Sequence, residues 1–192
     1  MPSNLILELY KSPSTVFTIE EISMLFPELK KETLKSRLNY YTKQKQILSP
    51  RHGIYAKSNF NTFELANKIY SPSYISFETI LAQHGVTFQN YNNIFVASYL
   101  TREIKVGELK INYIRMNMQI LTNPLGIDNN LFNSAGVERA FLDTIYYYKD
   151  YYFDNLQPIN WEKVKEMQSI YPTQKFKNIV ESYYQEYKNA IW

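Results

Sequence analysis

"KKETLKSRLNYYTKQKQILSPRHGIYAKS", residues 30–58, holds Lys30, Lys31, Lys35, Arg37, Lys43, Lys45, Arg51 and Lys57 against the single acid Glu32, a net +7. The whole 192-residue chain is only +3, so everything outside this stretch sums to −4. Charge placed so unevenly concerns a partner more than the fold. Within the stretch, Leu34, Leu38 and Tyr41 recur at i, i+4 and i+7, the spacing of a helix with one buried face. At about 100° per residue, Ser36, Asn39, Tyr40 and Lys43 fall on the opposite side, flanked by Thr33 and Lys35. Next, "QILS" and "IYAKS" bracket "PRHG". Two short alternating runs around a Pro- and Gly-containing turn predict a β-hairpin with Arg51 and His52 at its tip.

Working upstream, "LILELYKS" predicts a short first helix with Leu5 and Leu9 on one side. "TIEEISMLFPEL" predicts a second. Thr18 is a good N-cap, and Glu21 three residues on completes a capping box. Ile22, Leu25 and Phe26 supply its apolar stripe, and Pro27 ends it. Three helices followed by a hairpin are the order of a winged helix-turn-helix, here over residues 1–58. Its third helix would lie in the major groove of duplex DNA, with the hairpin on phosphates or in the minor groove alongside. Double-stranded DNA is expected over RNA because the RNA major groove is closed to such a helix. On this reading Lys30, Lys31, Lys35, Lys43 and Arg51 contact phosphates, and Ser36, Asn39 and Tyr40 reach base edges. Thr33 flanks the reading face, and His52 shares the hairpin tip. Arg37 sits nearer the buried flank and ranks below these.

From residue 59 the character changes. "FNTFELANKIY" predicts a helix, "SPSYIS" an extended link, and "FETILAQHG" a helix N-capped by Ser76 and ended by Gly85. "NIFVASYL", "REIKVG" and "ELKINYIRM" predict strands, with Gly107 at a turn. "SAGVERAFLDTIYYYKD" returns to helical spacing along Val137, Phe141, Ile145 and Tyr148. "NWEKVKEMQSIY", capped by Asn160, and "TQKFKNIVESYYQEYKNAIW" predict two closing helices. Residues 59–192 are thus expected to form a mixed α+β domain, and the whole chain to be α+β.

The composition narrows the chemistry. With no cysteine, disulfides and thiolate catalysis are excluded, and a cytoplasmic location is expected. The N-terminal apolar run is too short for a secretory signal or a membrane span. Only 5 glycines are present, in neither a Walker nor a GxGxxG pattern, so no nucleotide cofactor is implied. The 18 tyrosines are either the codon bias of an AT-rich genome or interface surface.

His52 and His84 lack metal-ligand spacing, and His84 is placed to meet the dipole at a helix C-terminus. Glu138 and Asp143 diverge by about 140° on one helix and do not converge on a substrate. Glu138 suits the helix start. In "IYYYKDYYF", Ile145 and Tyr148 are expected in the core, and Tyr147, Tyr151 and Tyr152 at an interface.

"HGIYAKS", "FELANKIYSPSYISFETILAQHG" and "AGVERAFLDTIYY", in this order over about residues 15–148, resemble the AbiEi-type antitoxins of type IV toxin–antitoxin (abortive infection) systems. The resemblance rests on the "G-x-Y" of Gly53 and Tyr55, the "SYIS…L…HG" run from Pro72 to Gly85, and an "A-x-x-EKALLD"-like run from Ala135 to Asp143. Arg139 stands where Lys is common and Phe141 where Leu is common. The resemblance implies a winged helix that binds inverted repeats in its own promoter and represses the operon. It also implies a C-terminal domain that opposes a nucleotidyltransferase-like toxin without a stable complex. It supplies no catalytic residue, and a monomer or weak dimer is expected. Two other readings stay open. One is a stand-alone regulator whose C-terminal domain senses a ligand or protein. The other is an enzyme docked on nucleic acid, which would need a carboxylate or metal cluster that the motifs do not supply.

Overall fold

The computed structural model describes residues 5–89 and 92–191. The chain is α+β and forms two compact units, one ending at Ile69 and the other starting at Tyr70.

The first unit runs α1 (Leu5–Lys11), β1 (Val16–Thr18), α2 (Ile19–Leu25), α3 (Lys31–Lys43), β2 (Leu48–Arg51), β3 (Ile54–Ala56) and α4 (Thr62–Ile69). The three strands form an antiparallel sheet in the order β1-β3-β2. The capping box forms as expected: the Glu21 amide donates to Thr18 Oγ1 at 3.2 Å, and the Thr18 amide donates to Glu21 Oε2 at 2.8 Å. Leu5, Leu9, Phe17, Ile22, Phe26, Leu34, Leu38 and Ile47 make the core, with Tyr41 packed at its margin. Leu25 departs from expectation. It is exposed at the end of α2, while Ile22 and Phe26 carry the buried stripe. Three residues of β1 close the sheet, too few for a period to show in the sequence.

The boundary between the units falls after Ile69, not after Ser58. The cause is Glu64 on α4, which is buried and accepts from the Thr15 amide at 2.8 Å and from Thr15 Oγ1 at 2.6 Å. Thr15 Oγ1 in turn accepts from the Asn61 amide at 2.8 Å. These bonds tie α4 to the start of β1.

The second unit contains β4 (Ser73–Ile75), α5 (Glu78–Gln83), β5 (Asn93–Ser98), β6 (Arg102–Val106), β7 (Leu109–Arg115), α6 (Met118–Leu121), β8 (Ile127–Asn129), β9 (Asn133–Ala135), α7 (Val137–Tyr148), α8 (Trp161–Met167) and α9 (Gln174–Ile191). Its mixed sheet has the order β6-β7-β5-β4-β9-β8, with β5 parallel to β7 and β4 parallel to β9. α7 packs against α5, α8 and α9. The segment expected to be an extended link is instead the buried strand β4, between β5 and β9. Ser76 does not cap α5. Its hydroxyl donates to buried Asp143 at 2.8 Å, and Phe77 occupies the cap position with φ 55° and no side-chain cap. The strands β8 and β9 and the one-turn α6 are further elements too short to carry a pattern. Asn160 caps α8 as expected, accepting from the Glu162 amide at 3.0 Å. The closing helix ends at Ile191, and Trp192, expected within it, lies outside the described residues.

Candidate nucleic-acid interface

The geometry of the basic stretch follows from how α3 is seated. Leu34 and Leu38 are fully buried, which turns the rest of the helix to solvent. Lys30, Lys31, Thr33, Lys35, Ser36, Asn39, Tyr40 and Lys43 are all exposed, and so is Arg37, which lies on the side away from Lys31. Lys31, Lys35, Asn39 and Lys43 follow one another at i, i+4 and form a stripe. The hairpin is short: Arg51 pairs with Ile54, leaving His52 and Gly53 as the turn. Gly53 has φ 75°, a conformation open to glycine, and its carbonyl accepts from the Ile19 amide at 2.9 Å. That bond fixes the hairpin to the start of α2.

Between helix and hairpin lies a concavity of about 560 Å³. Lys31, Lys35 and Asn39 line one side and Ser49, Arg51 and His52 the other. The structure therefore brings five of the ten expected residues to one surface. Lys30, Thr33, Ser36, Tyr40 and Lys43 are exposed on α3 or at its cap but do not line the concavity. Thr33 and Tyr40 sit roughly 160–200° round the helix from Lys31.

Cations outnumber acids here: Lys31, Lys35, Arg51 and Lys68 line the concavity against Glu20. Among the described residues, no carboxylate pairs with Lys30, Lys31, Lys35, Lys43 or Arg51. Lys57, one of the eight bases of the stretch, behaves otherwise. It is buried, and its Nζ donates to the Ser12 carbonyl at 2.6 Å, so it holds the fold instead of facing a partner. Two further contributors were not among the residues expected to form the site. Ser49, inside the expected strand run "QILS", lines the concavity from β2. Lys68 lines it from α4, held by Glu21 at 2.6 Å, and lay in the segment assigned to the other domain. Glu32, the single acid of the stretch, is exposed on α3 and does not line the concavity.

The remaining candidates form no second site of this kind. His84 Nδ1 lies 2.9 Å from the Ile80 carbonyl at the end of α5. Glu138 Oε1 accepts from the Asn160 amide at 3.2 Å. Asp143 is enclosed: it accepts from Tyr171 Oη at 2.6 Å, Ser76 Oγ at 2.8 Å and Tyr74 Oη at 2.9 Å, with Arg139 Nε at 3.4 Å. Burial pushes its carboxyl up, and Arg139 pulls it back in part. Tyr74 and Tyr171 are raised well above ordinary phenols, by burial first and then by the Asp143 charge. Among the described residues no group of three or more His, Cys, Asp or Glu side chains is placed to hold a metal ion. No described helix is long and apolar enough to cross a membrane. Tyr148, expected in the core, is 37% exposed beside Tyr147, because the buried run of α7 ends at Ile145.

No protein-family profile matches the chain, and no characterised protein is significantly similar to it.

Proposed function

We propose that the first unit is a winged helix-turn-helix that binds double-stranded DNA, and that the chain is a DNA-binding antitoxin and autorepressor of a type IV toxin–antitoxin operon. One observation carries the DNA-binding part: unpaired Lys31, Lys35 and Arg51, with Asn39 and His52, line a single open concavity between a helix and a hairpin. Phosphate oxygens compensate such cations, releasing condensed counterions. The helix, strand, helix, helix, hairpin order supports α3 as the reading element and the hairpin as the wing. The wing turn is only two residues long, which favours phosphate contact over deep entry into the minor groove.

The antitoxin part is supported by the ordered "HGIYAKS", "SYIS…HG" and "AGVERAFLD" runs and their resemblance to AbiEi-type antitoxins. On this reading two copies occupy inverted repeats upstream of the gene. The second unit opposes a nucleotidyltransferase toxin without a lasting complex, and the chain performs no catalysis of its own. Co-expression with the product of the neighbouring gene tests it. Rescue of growth by the full chain, together with footprint protection of inverted repeats in the upstream DNA, is the expected result. Protection without rescue would instead identify a stand-alone regulator, and neither would remove both parts of the proposal.

A further inference from the structure

Where α7 ends, Lys149 turns the chain with φ 69°, and residues 150–157 run beside α9. Two hydrogen bonds fix them there. The Tyr151 amide donates to Tyr183 Oη at 3.0 Å, and Tyr183 Oη donates to the Tyr151 carbonyl at 2.8 Å. Phe153 points inward, its ring 5.0 Å from that of Phe141 and 5.3 Å from that of Tyr183. Its neighbour Tyr152 is thrown outward and is 79% exposed. Two recesses, of about 310 and 230 Å³, open at this point and share Tyr152, Phe153, Leu156 and Glu186. Asp154, Asn155, Gln157 and Tyr187 also line the larger, and Asp150, Tyr151 and Tyr183 the smaller.

The charge here is of one sign. No Lys or Arg lines either recess, and among the described residues Asp150 and Glu186 form no ion pair. Asp154 is partly used, accepting from the Phe88 amide at 2.7 Å. Burial, and after it the charges of Asp150 and Glu186, hold the Tyr183 phenol above its ordinary value against the Tyr151 carbonyl bond, so both carboxylates are felt at the groove floor.

These features select an occupant. A purely apolar helix laid in the groove would strip water from Asp150 and Glu186 and leave them unpaired, which is unfavourable for any charge. An anion would be repelled. A guanidinium or ammonium on an aliphatic stem satisfies both halves, stacking on the tyrosine face and donating to carboxylates. The volumes sit at or below the lower end of the roughly 300–1,000 Å³ of ligand pockets, which suits one or two side chains and not a cofactor. We propose that this groove captures an arginine- or lysine-bearing segment of a partner protein, with Tyr152 as the stacking platform and Glu186 and Asp150 as the acceptors. It is independent of the DNA-binding proposal and draws on no residue of the first unit.

The test titrates the full chain against a fluorescently labelled alternating Gly-Arg peptide, with a Gly-Glu peptide as control. Tyr152 and Glu186 are exposed, so their replacement leaves the fold intact. Tyr152→Ala and Glu186→Gln are each expected to weaken Gly-Arg binding by about three- to tenfold, and Tyr152→Phe to retain it. Glu162→Gln, an exposed carboxylate outside the groove, is expected to change nothing. Absence of Gly-Arg binding, equal binding of the Gly-Glu peptide, or losses no larger than that of Glu162→Gln would overturn the proposal. Self-association abolished by Glu186→Gln would assign the groove to a second copy of the chain and overturn it as well.

Discussion

Arg139 and Asp143 are both fully buried, one helical turn apart on α7. Arg139 survives there because its donors are spent on the Leu125 carbonyl at 2.7 Å, the Ile120 carbonyl at 2.6 Å and Tyr74 Oη at 3.0 Å. It joins α7 to the α6 and β8 region and to β4. Removing it leaves a buried carboxylate uncompensated, and Arg139→Ala is expected to cost about 3–5 kcal/mol. Urea unfolding followed by circular dichroism measures this, and a cost below about 1 kcal/mol would show the network to be incidental. Glu78 is the second unusual carboxylate. Burial raises its pKa above 4.5, against a hydrogen bond from Tyr148, and its Oε2 has no partner among the described residues. An acid raised on folding binds its proton more readily in the folded state. Its contribution therefore favours folding at acid pH and is lost as pH climbs from 4.5 through the raised value. Glu78→Gln is expected to gain melting temperature relative to the parent over that climb. A gap between the two that does not change with pH would refute the assignment.

Elements with strong local signals were legible in the sequence, and those set by tertiary partners were not. The capping box of α2, the Leu34 and Leu38 face of α3, and the Gly107 turn all depend on residues within one turn of each other, so pattern alone exposes them. β1, β8 and β9 are three residues long, below any readable period, and β4 is a strand only because β5 and β9 flank it. Ser76 reads as a helix cap until Asp143, 67 residues away, takes its hydroxyl. In the candidate site the basic residues were visible by composition, but the split of α3 into a hairpin-facing stripe and an outer face needed the hairpin in place. Three expectations belong to this scale. Thr18→Ala removes the cap of α2 and should cost about 1 kcal/mol by denaturant unfolding. Lys35→Ala should weaken binding to every duplex and reduce the salt slope by about one, whereas Asn39→Ala should lose about 1–3 kcal/mol of discrimination between operator and random DNA. Equal losses on both DNAs for Asn39→Ala would remove its base-reading role.

At the scale of the whole chain, the division after Ile69 predicts where the protein can be cut. A fragment ending at Ser58 lacks Glu64 and leaves the Thr15 amide and hydroxyl without their acceptor, whereas one ending at Ile69 retains both bonds. The longer fragment is expected to give a dispersed amide NMR spectrum and to bind DNA, and the shorter to do neither. A well-folded shorter fragment would show α4 to be dispensable. The proposed DNA contact is tested most directly by the salt dependence of full-chain binding to a duplex carrying one half-site from its upstream DNA. With Lys30, Lys31, Lys35, Lys43 and Arg51 on phosphates, log K should fall against log salt with a slope of roughly −3 to −5, given about −0.9 per neutralised phosphate. No binding in dilute buffer, or a slope near zero, would contradict the account.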